Sequence, residues 1–513
     1  RSLSFSYRFL SEKGLVRKLI AKLHHQNSYL DASSWTDFYR PNFDLVNSEM
    51  TLVYEGKHTK YRGQATKDNL FKLELDSKKF QLGALGQHIL NLSTMAMQRV
   101  NDTRNVDVEA PLASDPLTGY TVRMGKVFKY GEPMGVFAQT YSFLNPITRF
   151  NCGVSLMDDI AFNEKLTMKL GARYDLFSTK DDRKGGAQNM GYIDYLLRNM
   201  QGAAMNFDPI NDKESGFSFL GVVSYAHSQL LNASYRFSTG FRVPNTEEKY
   251  FQFYSTWPSF IVLSNRDLKA EKSYNHELEF NGRGKGFGYL LSLYYNQYSD
   301  FIELKQGTLA VKEPLMQAPK NISYVKNVNQ TSAHLKGFDA ALQLYPGEWI
   351  DLLKGFMVSS AFSYAEGSSS SGMSMLGIQP LTGNIGVEYT DPKARWQVNI
   401  KANLYFAKPV SQTTFWDKDA AGKELIRRYP ASFMSNAYTF DAYGYYKVTR
   451  KFTVRLGIYN ILNSEYLRWD DLRQLTNPAL LSNINYFFQD GKKSLSRFSR
   501  PKRYISLALE YKI

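Results

Sequence analysis

The chain has 513 residues, 43% hydrophobic and 15% aromatic, with 35 Tyr, 34 Phe, 6 Trp and a formal net charge of +15. No apolar run approaches the ~18 residues of a membrane helix, and the single cysteine, Cys152, excludes an intramolecular disulfide and a zinc site built from cysteines. The basic residues are spread along the chain, densest at 13–22 and 492–503, which fits solvated loop and lumen charge and argues against a nucleic-acid partner.

Before residue 150, the alternation predicts strands over 2–10, 16–26, 47–55, 70–82 and 88–98, whose pairing gives no single parity. From about residue 150 the pattern is sharper. Short turns are expected at 162–165, 227–231, 282–286, 391–394 and 448–451, and long connections at 177–216, 244–272, 300–325, 366–379, 408–437 and 467–502. Phe452, Val454, Leu456 and Ile458 alternate with Thr453, Arg455, Gly457 and Tyr459. At the C-terminus Ile505, Leu507, Leu509, Tyr511 and Ile513 share one face, and Tyr504, Ser506, Ala508, Glu510 and Lys512 the other. Period-two alternation with a charged second face, repeated in strand after strand, is the signature of a membrane barrel. Short and long connections alternate, so each kind gathers at one rim. The expected fold is all-β: one transmembrane antiparallel up-and-down β-barrel over 1–513, with short periplasmic turns and long extracellular loops. Roughly eighteen to twenty strands are expected, at about ten membrane residues each. A barrel of that width is an open pore or needs a plug.

Four stretches carry a family likeness. Phe241-Arg242-Val243-Pro244 resembles the F-R-A-P box of TonB-dependent outer-membrane receptors, with Val for Ala. Asn265-Arg266-Asp267-Leu268-Lys269-Ala270-Glu271 resembles the N-P-N-L-K-P-E box, with both prolines replaced. Leu170-Gly171-Ala172-Arg173-Tyr174-Asp175 and Gly457-Ile458-Tyr459-Asn460-Ile461-Leu462-Asn463 are similar to the G-L-R-Y-D and G-V-Y-N-L-F-N strands. All four stand in family order over about 150–513. Tyr466-Leu467-Arg468-Trp469-Asp470-Asp471-Leu472-Arg473, Ile378-Gln379-Pro380 and the 497–504 stretch resemble the haemoglobin, transferrin and lactoferrin branch.

That resemblance implies a receptor in the outer membrane of a Gram-negative bacterium. It would take iron or haem from a host carrier, most of all haemoglobin, with uptake energised by the TonB system through a plug. Haem or iron would be transported ligand, with no intrinsic cofactor and no metal site. Outer-membrane lipid is the other expected partner. Nothing in the chain resembles the plug or its TonB box, and part of the barrel N-terminus is expected to be missing as well. The family's haem-binding members carry a histidine between the two boxes, and 245–264 has none. The chain ends in Ile513, where many such barrels end in Phe. A transferrin, lactoferrin or siderophore receptor and a passive porin are the alternatives.

Phe241, Arg242, Pro244, Asn265, Leu268, Lys269 and Glu271 mark the boxes. Their plain reading is structural, because Pro fixes φ, lacks a donor and ends a ladder. Between the boxes stand Tyr250, Phe251, Phe253, Tyr254, Trp257 and Phe260. They read as a rim mini-core or as a hot-spot patch for a protein ligand, since Tyr and Trp bury large area at low entropic cost. None of His24, His25, His58, His88, His227, His276 and His334 falls in the expected ligand slot. His24 and His25 are adjacent on a strand and point to opposite faces. The adjacent acids Asp158-Asp159 and Asp470-Asp471 form no catalytic pair, and the sequence has no P-loop, G-x-S-x-G, H-E-x-x-H or C-x-x-C. No enzyme is expected.

Overall fold

The computed structural model describes residues 2–12, 14–44, 49–111, 120–123, 126–129, 132–133, 137–141, 146–181, 200–203, 209–256, 259–312, 318–418, 424–429, 435–475 and 499–512. Its wall is an antiparallel meander of seventeen strands. They are β1 (Ser2–Leu10), β2 (Val16–Asp44), β3 (Glu49–Ser77), β4 (Gln87–Pro111), β5 (Ile147–Ala161) and β6 (Leu166–Asp181). Then come β7 (Asn211–Ser228), β8 (Leu231–Arg242), β9 (Glu271–Gly284), β10 (Phe287–Val311), β11 (Lys320–Leu344) and β12 (Phe356–Ser369). The last are β13 (Thr382–Thr390), β14 (Trp396–Tyr405), β15 (Ala437–Lys447), β16 (Phe452–Tyr459) and β17 (Tyr504–Tyr511). Each pairs with the next in the chain. Among the described residues β1 pairs only with β2, and β17 only with β16.

The register explains where the apolar residues go. Val223 opposes Tyr235, Tyr235 opposes Leu278, and Leu278 opposes Leu293. Further round, Val387 opposes Ile400 and Leu456 opposes Leu507. All of these side chains are exposed, Leu507 at 64%. A continuous exposed apolar surface of this kind marks a membrane-facing side. The intervening residues point into the lumen and pair with one another. Arg173 meets Asp175 at 2.6 Å, Arg236 meets Glu277 at 3.0 Å and Arg455 meets Glu510 at 3.0 Å.

Three expectations are corrected. The strands read at 47–55 and 70–82 are one strand, β3, whose ladder with β2 runs from Val16↔Ser77 to Asp44↔Glu49. This restores a single parity, with connections 11–15 and 78–86 on the short-turn rim. Most of the loop expected at 300–325 is a hairpin extension, because β10 and β11 stay paired to Val311↔Lys320. The wall has seventeen strands among the described residues, below the expected number. The short-turn rim also carries a longer connection, 345–355, folded as two 3-10 turns, Pro346–Glu348 and Asp351–Leu353. Two turns there are only two residues long, Gln229-Leu230 and Lys285-Gly286, and in the second Gly286 takes φ 82° beneath the Trp349 ring. A side chain at that φ would be strained.

The outward assignment is testable on β13. Val387→Arg puts a charge on the apolar face and is expected to cost about 2–4 kcal/mol if it sits near the bilayer midplane. Lys401→Ala, on the lumen side of β14, is expected to change stability by less than about 1 kcal/mol. Urea titration of both variants in lipid vesicles checks this, and equal effects would contradict the assignment of faces.

Candidate functional site

The long-loop rim is held at the end of β8. Arg242 sits opposite Glu271 in the β8–β9 register, and its Nε donates to the Glu271 carboxylate. Its Nη1 donates to Glu248 Oε2 at 2.9 Å. Val243 and Pro244 are buried, and the ladder stops there. Asn245 then caps helix α1 (Thr246–Tyr250): its Oδ1 accepts from Glu248 N at 2.7 Å, and Glu248 Oε2 accepts from Asn245 N at 2.9 Å. This reciprocal pair is a capping box. Phe241 packs toward Phe177, 6.2 Å between ring centroids. Its ring lies over Gly216, where a Cβ would stand 2.6 Å from it.

The second box is tied to the same frame. Asn265 Nδ2 donates to Asn327 O at 2.8 Å, and Asn327 Nδ2 donates to Glu248 O at 3.2 Å. Lys269 N donates to Asn329 Oδ1 at 2.9 Å, and Asn329 Nδ2 returns to Lys269 O at 3.0 Å. Leu268 is buried. Glu271 Oε1 accepts from Ile302 N at 2.6 Å. The structure therefore brings Arg242, Asn265, Lys269 and Glu271 into one latch across β8, β9, β10 and β11. Its partners Glu248, Asn327 and Asn329 carried no motif of their own.

A second cluster was not signalled by the sequence. The buried Lys249 Nζ lies 3.0 Å from Asp212 Oδ2 and 2.9 Å from Glu214 Oε1, both on β7. Tyr250 OH donates to Asp212 Oδ2. Burial pulls the Lys249 pKa down, but Glu214 and Asp212 outweigh it and leave the value raised. Burial, then the Asp212 hydrogen bond, pushes the Tyr250 phenol well up.

The aromatic stretch folds as a small hairpin, Phe253–Thr256 against Ser259–Leu263. Its second strand joins β11 in parallel, Phe260↔Ser323 to Leu263↔Lys326. Tyr254 and Ile261 are fully buried and pack with Met200, Val311 and Ile322. Tyr250 is buried with Ile147 and Ile210. Phe251, Phe253 and Phe260 are half-buried, with Phe253 5.8 Å from Phe260. Trp257 lies outside the described residues. Of the five aromatics described, Phe251, Phe253 and Phe260 keep surface that a partner can touch.

Across the rim, helix α2 (Trp469–Leu475) carries the stretch that resembles the carrier-binding branch. Trp469 is buried against Tyr429 and Phe415, and its Nε1 donates to Leu376 O at 2.7 Å. Arg500 Nη2 meets Asp471 at 2.9 Å, joining the two late stretches. Ile378-Gln379-Pro380 lies just ahead of β13 rather than in it. Between these loops and the wall residues Ala341, Ala361, Asn384 and Asn403 is a cavity of about 510 Å³.

The histidines are dispersed. His88 Nδ1 is 2.8 Å from Asp158, His276 Nδ1 is 2.7 Å from Tyr235 OH, and His25 Nδ1 is 2.7 Å from Asn69 Oδ1. His24 meets Gln26, on the opposite face from His25. His227 adjoins a short turn and His334 is exposed on β11, while the His58 side chain lies outside the described residues. Among the described residues no group of three or more His, Cys, Asp or Glu is placed to hold a metal.

The family model described as "TonB dependent receptor-like, beta-barrel" matches residues 2–461. The chain belongs to the TonB-dependent receptor β-barrel family. Among curated proteins it is 26% identical to hemoglobin-binding protein A of Haemophilus influenzae over 398 residues, 72% of this chain and 38% of that protein. It is 28% identical to hemoglobin-haptoglobin utilization protein B of Neisseria meningitidis over 379 residues, 68% of this chain and 42% of that one. The chain thus spans about two fifths of the length of these relatives. In fold it is similar to the copper transporter OprC, with a TM-score of 0.63 at 14% identity, covering 99% of this chain and 64% of that one. FpvAI in its complex with pyocin S2 gives 0.57 at 11% identity, covering 99% and 56%. The barrel reading of the sequence is the family's fold.

Two outcomes test the rim. Arg242→Ala leaves Glu271 and Glu248 without their shared cation and is expected to cost about 1–3 kcal/mol. Limited proteolysis should then cut 244–270 faster than in the native chain, and unchanged cleavage would show that the latch does not order this loop. Lys249 and Tyr250 hold their protons more tightly folded than unfolded, so their contribution is complete at neutral pH and is lost as pH rises above about 10. The same protease assay should show protection falling above that pH, and falling less in Tyr250→Phe.

Proposed function

We propose that the chain is the barrel of an outer-membrane receptor that takes iron or haem from a host carrier protein, with haemoglobin as the carrier and TonB as the energy source. The observation that carries the reading is the likeness, over about 70% of the chain, to proteins named for haemoglobin binding in one genus and for haemoglobin-haptoglobin utilization in another. The exposed apolar face supports the membrane location. The long-loop rim supports the mode of capture, because binding residues gather on loops held by a rigid scaffold. In this reading the loops grip the carrier through half-buried aromatics such as Phe251, Phe253 and Phe260. The released ligand then passes along the polar lumen, and no bond chemistry is performed on it.

Cells displaying the chain are exposed to haemoglobin, free haem and iron-loaded transferrin. Haemoglobin is expected to be retained and transferrin not. Replacing Phe251, Phe253 and Phe260 together by Ala should reduce haemoglobin retention roughly tenfold or more if they act as hot spots. Retention of transferrin alone would move the carrier to the sibling branch, and retention of none of the three would remove the case for an iron or haem carrier.

A further inference from the structure

We infer that the cavity beneath α2 is a carboxylate-binding pocket whose cation is Arg468. On the function proposed above, it receives the propionate edge of haem.

The local charge pattern leads to this residue. Arg468 stands at the start of α2, and its backbone N donates to Asp471 Oδ2 at 2.9 Å. The acids beside it are already engaged. Asp471 is held by Arg500 at 2.9 Å, and Asp470 by Arg473 at 2.8 Å. The Arg468 guanidinium has no ion pair among the described residues, and its Nε is buried without a hydrogen-bond partner. A buried donor with no acceptor is costly unless something outside the chain accepts from it. The group also rests against an aromatic pair. Its Cζ lies 5.6 Å from the Tyr405 ring centroid, and Tyr405 stacks on Tyr466 at 5.5 Å. A guanidinium with open donors suits a planar carboxylate, which it can hold through two parallel hydrogen bonds.

The rest of the lining sets what the carboxylate is attached to. Leu290, Ala341, Ala361 and Leu472 give apolar wall, and Trp469 gives an aromatic one. The cavity, about 510 Å³, is of the size that encloses a small molecule. Asp339 also lines it, so a ligand's negative end is directed to Arg468 and away from that carboxylate. Lys408 is the second cation, but its Nζ already donates to Ile378 O at 2.7 Å and lies 5.4 Å from the Trp469 ring. Burial, then Arg473, lowers its pKa to about 8. Lys408 therefore loses its charge as the pH rises past that value.

The test uses the 513-residue chain in detergent micelles, titrated with ferric haem and with its dimethyl ester and followed by Soret absorbance. Haem is expected to bind about tenfold or more tightly than the ester, the difference a charge-assisted contact supplies. Arg468→Ala should remove that preference, and Arg468→Lys should keep part of it. The preference should persist at pH 9, where Lys408 is mostly neutral. Equal binding of haem and ester by the native chain overturns the inference, as does binding of neither or a preference that survives Arg468→Ala. The native comparison needs no variant, so a misfolded Arg468→Ala leaves it decisive. Haemoglobin retention by displaying cells is read separately. Retention without the haem preference removes only the pocket, and a haem preference without retention removes only the choice of carrier.

Discussion

Backbone pairing is the constraint on which the rest of this molecule depends. In a lipid environment no water is available for an unpaired N–H or C=O, so interior strands must be bonded on both edges. From β2 to β16 every wall strand has that arrangement. Once the ladders are set, side chains have two directions only. Val387 and Ile400 go outward, while Arg455 and Glu510 go inward and pair. The sorting of turns and loops to opposite rims follows from the same up-and-down path.

The rim repeats this logic beyond the apolar band. Its loops are ordered by more β-pairing and by a few polar anchors. The aromatic hairpin adds itself to β11 in parallel, and this buries Tyr254 and Ile261 against Val311 and Ile322 at the far ends of β10 and β11. Arg242 serves two carboxylates, and Lys249 serves two more. Such ion pairs contribute modestly to net stability, yet removing one partner strands a charge. They suit a rim that must hold one shape while presenting a surface.

Much of the wall was legible in the sequence because a lipid face imposes alternation. The stretches 452–459 and 504–511 read cleanly for that reason. Legibility failed where the strands leave the bilayer. Residues 56–69 are polar on both sides, and 301–311 carry apolar residues on both (Ile302 and Leu304 on one, Leu309 and Val311 on the other), so neither shows a period-two signal although both backbones continue the ladder. The boxes were legible as motifs, and the register sets Arg242 against Glu271. Their partners were not. Asn327 and Asn329 lie some sixty residues from Asn265 and Lys269, and only folding brings them together. Aromatic composition could not separate a core from a contact surface. Tyr250 and Tyr254 are buried while their neighbours Phe251 and Phe253 keep exposed surface, although Tyr is the more polar of the two residue types.

The β10–β11 hairpin has a geometric consequence. Each strand has 25 residues. At roughly 3.3 Å per residue that is about 80 Å of ladder, against an apolar band about 25 Å tall. The turn at Lys285-Gly286 is only two residues deep, so nearly all of the excess stands on the loop side. A body that touches the hairpin tip is therefore held tens of Å from the lumen mouth. On the proposed function, first contact and passage would lie at different heights, and a small molecule diffusing inward or a bending of the hairpin toward the mouth would close the gap.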